Sequence, residues 1–242
     1  MKVYLDNCIL VDIEKGILNL SDFCQIHGAE YYFSLTHMDE LCRGMNSNPN
    51  LKEKRLNTLH LLCGENYLIQ DPQGQSIELE HLTADKVFSL CESFRRSSYL
   101  IERIVTSCNP NREGLIAELN LKKIEVGNVE PCKILKVIDS MMRQSQNQFG
   151  LDDFLRLSEA FTNKTKYSTL FNLLDSVFYW KDEHNINRLY DSSHACYAQY
   201  CDVLVTNDRR MAIKAKAVYS YFDVNTKVLN AGEYLHLVAK NN

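Results

Sequence analysis

The chain has few of the features that mark non-globular proteins. Only 4 of its 242 residues are proline and 45% are hydrophobic, which excludes collagen-like chains, coiled coils and extended disorder. No apolar run approaches the roughly 20 residues that a membrane span requires. Asp6 interrupts the N-terminal apolar run too early for a secretory signal. We therefore expect a globular protein of the cytoplasm that does not enter a membrane.

Two common motifs are also missing. There is no glycine-rich phosphate loop of the Walker or dinucleotide type, which argues against nucleotide-driven work. The nine cysteines are scattered from Cys8 to Cys201 without a Cys-x-x-Cys pair. An odd number of scattered cysteines suits neither a disulfide framework nor a closed zinc site. We expect buried thiols in a reducing compartment.

A strongly basic surface is absent as well. The formal net charge is −4, so any phosphate group would have to be bound by a local cluster of cations. Arg209 and Arg210 follow Asp208 directly and are our candidates for substrate contact, with Lys214 and Lys216 close behind. Other basic clusters lie at 52–55 and 95–103. The more common outcome for such clusters is a solvated helix face.

The chain does contain an alternation of strand-like and helix-like segments. Short apolar runs rich in β-forming residues occur at 2–5, 31–33, 203–205 and 227–229, and stretches with helical spacing follow them. This order predicts an α/β fold with a central, mainly parallel sheet and helices on both faces. Asp191 is predicted to open the helix before 203–205, because aspartate is favoured at helix N-termini.

The pattern changes between 46 and 164. Asn, Pro and Gly interrupt stretches that have helical spacing, for example around 87–94, 135–142 and 154–161. We therefore expect a core formed by 1–48 and 165–242, with 49–164 as an inserted helical subdomain beside the proposed site.

Four acidic residues are candidates for that site. Asp6 and Asp208 each end a strand-like run, and the carboxyl ends of parallel strands share the edge where ligands bind. Glu40 and Asp191 lie on helices that can converge on the same edge. Clustered carboxylates repel one another until a cation neutralises them, and oxygen ligands favour Mg²⁺ or Mn²⁺. Taken singly, each acid is better explained as a turn residue, a cap or a solvated side chain.

Three segments resemble motifs of the PIN-domain nucleases. They are VYLDNCIL at 3–10, FSLTHMDELCRG at 33–44 and DSSHACYAQYCDVLVTND at 191–208. The third is the most specific, with an acid, small residues, an apolar strand and Thr-Asn-Asp. The resemblance covers about 1–46 and 165–242. Asn7 and Cys8 stand where many members have Thr or Ser and then Asn, and the interval between Glu40 and Asp191 exceeds that of a compact member.

The resemblance implies a PIN-like three-layer fold and a divalent-metal-dependent ribonuclease that hydrolyses phosphodiester bonds in RNA. The implied cofactor is Mg²⁺ or Mn²⁺. Thr206 and Asn7 are implied as supporting residues, and Asp39 stays open as an alternative to Glu40. The implied catalytic residues and metal ligands are Asp6, Glu40, Asp191 and Asp208. The resemblance also suggests a bacterial toxin or defence effector, with an inhibitory protein partner or a homo-oligomeric assembly.

Two other functions stay open. One is a catalytically silent PIN-like module that binds RNA or a protein partner, which suits the low basic charge. The other is a Mg²⁺-dependent phosphatase, although that family's first strand ends Asp-x-Asp and this one reads Asp6-Asn7-Cys8.

Two histidines lie near the proposed acids. His37 is three residues from Glu40 and His194 is three residues from Asp191, so each shares a helical face with its acid. We expect a capping or packing role for both, ahead of contact with substrate or with a softer metal.

Overall fold

The structure is a computed structural model and describes residues 1–45, 48, 50–91, 129–144, 149–158, 160–178 and 185–240. Its strands are β1 (Lys2–Leu5), β2 (Glu30–Ser34), β3 (Asn66–Gln70), β4 (Ile77–His81), β5 (Val203–Val205) and β6 (Lys227–Leu229). Its first helices are α1 (Asn7–Glu14), α2 (Leu20–Cys24), α3 (Leu35–Gly44), α4 (Leu51–Cys63) and α5, described over 84–91. The later ones are α6 (Ile134–Arg143), preceded by a short 3₁₀ turn at Pro131–Lys133, then α7 (Leu151–Leu157), α8 (Asn163–Phe178), α9 (Asn185–Ala198), α10 (Arg209–Tyr221) and α11 (Ala231–Ala239).

Six strands form one mainly parallel sheet in the order β4-β3-β2-β1-β5-β6. β1 lies in the middle and pairs in parallel with β2 and with β5, where Leu5 is the partner of Val205. Among the strands that the structure describes, only β4 runs antiparallel, against β3. The expected α/β class and mainly parallel sheet are confirmed. Because β1 and β5 are neighbours, the residues that follow them emerge side by side.

Each face of the sheet carries its own hydrophobic core, because successive strand side chains point to opposite faces. Tyr4 and Leu204 pack in a cluster with α6, α8, α9 and α10. Val3, Leu5 and Val203 pack on the other face with α1, α3, α4 and α11. The central strands are buried on both sides, as expected for parallel strands covered by helices. The molecule is therefore a three-layer α/β structure.

The segment expected to be a helical insertion, 49–164, contains two strands of the central sheet. β3 and β4 form a hairpin whose turn is closed by Asp71, which accepts from the backbone N–H of Gln75 at 2.6 Å and of Ser76 at 3.1 Å. Gly74 in this turn has φ +70°, a conformation that favours glycine. Its carbonyl accepts from the N–H of Asn163 at 2.7 Å. Within the described residues, this part of the chain extends the sheet and is not an all-helical unit beside it.

None of the helices over the described ranges combines the length and the apolarity needed to cross a bilayer. The basic cluster at 95–103 and much of the segment between α5 and α6 lie outside the described residues.

Candidate functional site

Asp6 and Asp208 emerge together at the carboxyl edge of the sheet. The N–H of Asp6 donates to the carbonyl of Val205 at 2.9 Å, which ties the end of β1 to the end of β5. Thr206 links the two acids: its hydroxyl donates to Asp6 Oδ2 at 2.7 Å and accepts from the N–H of Asp208 at 3.0 Å. These two hydrogen bonds fix Thr206 between the acids that we expected it to support.

Each of these acids also begins a helix. Asp6 precedes α1, and its Oδ1 accepts from the N–H of Asn7 at 2.7 Å. Asp208 caps α10 by accepting from the N–H groups of Arg210 at 2.7 Å and Met211 at 3.0 Å. Short aspartate side chains suit helix N-caps because they reach the unpaired N–H groups of the first turn. Asp6 is buried, whereas Asp208 is exposed.

Glu40 and Asp191 approach the same edge from two helices. Glu40 lies on α3, and its Oε2 is 2.7 Å from Nε2 of His194. Asp191 lies on α9, and its Oδ2 accepts from the ammonium of Lys214 at 3.1 Å. Their side chains keep 19% and 22% of their exposure, so each still reaches solvent.

The four acids line one cleft with a volume of about 610 Å³. Val11 contributes an apolar wall, and the remaining lining residues are polar or carry a thiol: Asn7, Cys8, Asp12, Asn187, Arg209 and Arg210. Asp39 does not line the cleft; burial raises the pKa of the Tyr197 hydroxyl, and the charges of Cys196 and then Asp39 raise it further. Of the two acids left open on α3, Glu40 is the one that faces the site.

The carboxyl group of Asp191 has a pKa well above its usual range. Burial raises the pKa of Asp191 to about 7; Lys214 lowers it, and the charges of Asp6 and Asp208 raise it further. The two aspartates therefore lie close enough to disfavour a negative charge on Asp191. Burial is the larger cause of the raised pKa, and repulsion between neighbouring carboxylates adds to it.

A buried group of charges supports Asp191 from behind. Lys214 is fully buried, and its ammonium lies 3.3 Å from Asp175 as well as 3.1 Å from Asp191. Arg188 lies 3.7 Å from Asp175. Although burial disfavours the charged form of Lys214, the two aspartates outweigh it and raise the pKa of the lysine. Lys214 is thus an internal counterion and not part of a solvated basic face.

The pKa values of the two histidines shift in opposite directions. His37 Nε2 donates to the carbonyl of Leu5 at 2.9 Å, and its Nδ1 accepts from the N–H of Ser34 at 3.1 Å. Since a carbonyl only accepts and an N–H only donates, His37 is neutral. Burial lowers its pKa, and the charge of His194 lowers it further. His37 also forms the capping box of α3 with Ser34, so the expected capping role is confirmed.

His194 contacts both the core and the cleft. Its Nε2 faces Glu40, and its Nδ1 lies 2.9 Å from the Tyr4 hydroxyl, which in turn lies 2.6 Å from the Ser34 hydroxyl. Burial disfavours the imidazolium, but the charge of Glu40, followed by those of Asp6 and Asp191, outweighs it and raises the pKa of His194. His194 therefore does more than pack in the core, because it also holds the Glu40 carboxylate in the cleft.

The chemistry of these donors fits a hard divalent cation, since carboxylate oxygens are the ligands that Mg²⁺ and Mn²⁺ prefer. In the parts of the chain that the structure describes, no three His, Cys, Asp or Glu side chains yet surround one point closely enough to hold a metal. Two of the acids instead carry protein counterions, His194 on Glu40 and Lys214 on Asp191. Binding a cation would therefore require the carboxylates to move closer together.

One local expectation was wrong. Asp191 does not open a helix, because α9 begins at Asn185 and places Asp191 in its middle. Ser192, the next residue, uses its hydroxyl to donate to the carbonyl of Leu189 at 3.0 Å within the same helix. Asp191 reaches the cleft from the side of the helix and not from its N-terminus.

Sequence reasoning also missed several groups around the site. The basic cluster at 52–55 suggests a solvated helix face, but Arg55 is buried and pairs with Glu14 on α1 while donating to Asn7. Asn187 lines the cleft and accepts from Arg43 at 3.1 Å. Asn187 lies four residues before Asp191, so helical spacing alone could have placed it on the same face of α9. The pairing with Arg43 depends on tertiary contacts.

The fold and the cleft define an α/β protein with an acidic site at the carboxyl edge of a mainly parallel sheet. Comparison with protein-family models, with curated proteins and with solved structures found no match to this chain. The chemistry of the cleft is therefore the basis for a function.

Proposed function

We propose that this chain is a PIN-like ribonuclease that hydrolyses phosphodiester bonds with the help of Mg²⁺ or Mn²⁺. The observation that carries the proposal is the convergence of Asp6, Glu40, Asp191 and Asp208 on one cleft. These are the four acids that the resemblance to PIN-domain nucleases singles out, and they come from four separate segments of the chain.

The residues of the cleft would divide the work as follows. The four carboxylates would hold the cation, which when bound polarises the phosphate and lowers the pKa of an attacking water. Thr206 fixes Asp6 through a 2.7 Å hydrogen bond and orients the turn that carries Asp208. Lys214 engages Oδ2 of Asp191, which leaves Oδ1 for the cleft. Such outer contacts orient metal-binding carboxylates.

Arg209 and Arg210 support a polyanionic substrate. Both line the cleft at the first turn of α10, next to Asp208. An acidic cleft repels phosphate, so cations at its border would offset that repulsion for an incoming RNA backbone. Arginine also presents paired N–H groups that match phosphate oxygens.

A second candidate function is a catalytically silent module of the same fold that binds RNA or protein. The pairing of Glu40 with His194 and of Asp191 with Lys214 favours it, because counterions supplied by the protein reduce the need for a metal. The two candidates differ in whether the bound RNA is cut.

Incubation of purified protein with mixed RNA and single-stranded DNA, in Mg²⁺, Mn²⁺ or EDTA, tests the proposal. We expect RNA to be cut in either metal and to stay intact in EDTA. The Asp208→Asn variant should lose orders of magnitude in rate, because asparagine keeps the cap of α10 but removes a ligand charge. Cleavage in EDTA, or full activity in Asp208→Asn, would contradict a metal-dependent nuclease; RNA binding without cleavage would favour the silent module.

A further inference from the structure

Two asparagines in the lining of the cleft are held in the same way. Asn7 Oδ1 accepts from Nη1 of Arg55, and Asn187 Oδ1 accepts from Nη1 of Arg43 at 3.1 Å. A guanidinium has N–H donors and no acceptor. Each arginine must therefore face the carbonyl oxygen of its asparagine, and this fixes which end of each amide is left for the cleft.

The arginines that orient these amides are themselves held in place. Arg55 is buried, and its Nη2 donates to Glu14 Oε2 at 3.1 Å in addition to a contact through Nε. Arg43 lies over the ring of the buried Tyr190, with 6.0 Å between the guanidinium carbon and the ring centroid. An orienting group that is held by a second contact gives its partner a defined direction.

The remaining amide groups, Nδ2 of Asn7 and Nδ2 of Asn187, are pure hydrogen-bond donors. Across the described residues, neither nitrogen has a protein acceptor within hydrogen-bond distance. Both asparagines line a cleft whose other polar groups are largely carboxylate acceptors. These amide groups are neutral and donate to no group in the described part of the protein, so they suit a ligand that only accepts hydrogen bonds. The oxygens of a phosphodiester accept hydrogen bonds and do not donate them.

Their positions relative to the acids suggest where the ligand lies. Asn7 follows Asp6 directly, and Asn187 lies one helical turn before Asp191 on the same face of α9. The two donors therefore come from different elements and flank the carboxylates.

We infer that Asn7 and Asn187 bind the backbone phosphates of single-stranded RNA next to the scissile phosphodiester, with Arg55 and Arg43 as their positioning residues. The choice of RNA rests on the proposed function, whereas the choice of phosphate oxygens rests on the orientation of the amides. The asparagines contribute to RNA affinity through hydrogen bonds although their side chains carry no charge.

The test is a binding measurement in the Asp208→Asn background, in which bound RNA should not be cut. A fluorescent single-stranded RNA oligonucleotide of mixed sequence is titrated with the parent and with Asn187→Asp and Asn187→Ser variants. The aspartate keeps an acceptor for Arg43 and forms an ion pair with it, so the melting temperature should hold or rise. The serine is neutral and too short to reach the ligand.

We expect both variants to bind RNA about tenfold more weakly, the effect of losing one hydrogen bond to a charged oxygen. Asn7→Asp and Asn7→Ser should behave in the same way. An effect of added charge alone would appear only in the aspartate variants and would fade at high salt. A purely structural role would appear as a lower melting temperature with unchanged affinity. Either result would overturn the inference.

Asn57→Asp is the matched control, because Asn57 is exposed on α4 outside the acidic cleft; it should leave affinity unchanged.

The outcomes also separate this inference from the proposed function. If RNA binds through the asparagines but the unmutated chain never cuts it, the proposed nuclease activity is contradicted and the inferred phosphate contacts stand. A parent that binds no RNA would remove both.

Discussion

The surroundings of His37 fix its protonation state and tautomer. Its two ring nitrogens satisfy the Leu5 carbonyl and the Ser34 N–H only in the neutral form, and burial lowers its pKa. In the unfolded chain the same histidine has a pKa of about 6.5. Above that pH both states are neutral, so His37 contributes no pH dependence. Below about pH 6.5 His37 is protonated in the unfolded chain but stays neutral in the folded chain. The free energy of unfolding therefore falls as the pH is lowered.

We therefore predict that His37→Asn flattens the acid limb of the stability curve. Asparagine keeps an acceptor for Ser34 N–H and does not titrate. Between pH 7 and pH 5, the free energy of unfolding of the unmutated chain should lose up to about 1.4 kcal/mol per pH unit more than that of the variant. Urea unfolding at several pH values measures this difference. Equal slopes for the two proteins would contradict a neutral His37.

For single residues, the sequence predicts where the acidic side chains lie better than it predicts which residues contact them. Asp6 and Asp208 follow apolar strands, and that local pattern places them at one sheet edge. Lys214 looks like part of a basic helix face, yet it is fully buried because it faces Asp175 from α8. Contacts between residues far apart in the chain depend on how helices pack, which no local pattern records.

At the scale of elements, a buried ion pair joins α1 to α4 behind the cleft. Arg55 and Glu14 keep only 2% and 5% of their side-chain exposure. Breaking such a pair leaves one charge buried without compensation, which costs about 3–5 kcal/mol. Arg55 also orients Asn7, so the same pair connects the packing of α4 to the lining of the site.

We predict that Glu14→Gln lowers the free energy of unfolding by about 3–5 kcal/mol. The double variant Glu14→Met with Arg55→Met should lose much less, because no charge is left unpaired. Arg156→Ala is the control: Arg156 is 74% exposed in its pair with Asp153, and such pairs contribute about 1 kcal/mol or less. Urea unfolding of the four proteins gives the comparison; a Glu14→Gln loss as small as the control's would contradict this account.

Two elements escaped the sequence analysis for an identifiable reason. The stretch 77–81 alternates Ile77, Leu79 and His81 with two glutamates, and Pro72 and Gly74 mark a turn before it. That is a hairpin signal, but proline and glycine at these positions also suit an interruption between two helices. The edge position of β4 explains its polarity, since one side of that strand faces solvent.

At the scale of the whole molecule, the sheet order explains the site. Placing β5 next to β1 brings together residues that are 200 positions apart in the chain, such as Asp6 and Thr206. The helices on one face then contribute Glu40 and those on the other contribute Asp191. The arrangement has an electrostatic cost, since burial and then the charges of Asp6 and Asp208 raise the pKa of Asp191. A cation that binds only the folded state would relieve it and stabilise the fold by mass action.

The most direct test of the central claim is thermal unfolding of the unmutated chain and two variants during titration with Mn²⁺. We predict that the melting temperature of the unmutated chain rises with Mn²⁺ concentration, by about 2–4 °C for each kcal/mol of binding free energy. Asp208→Asn should lose most of that rise. Asp202→Asn should keep it, because Asp202 binds the N–H of Lys2 at the opposite edge of the sheet. An unmutated chain that gains nothing from Mn²⁺, or equal gains in all three proteins, would contradict a metal site at these carboxylates.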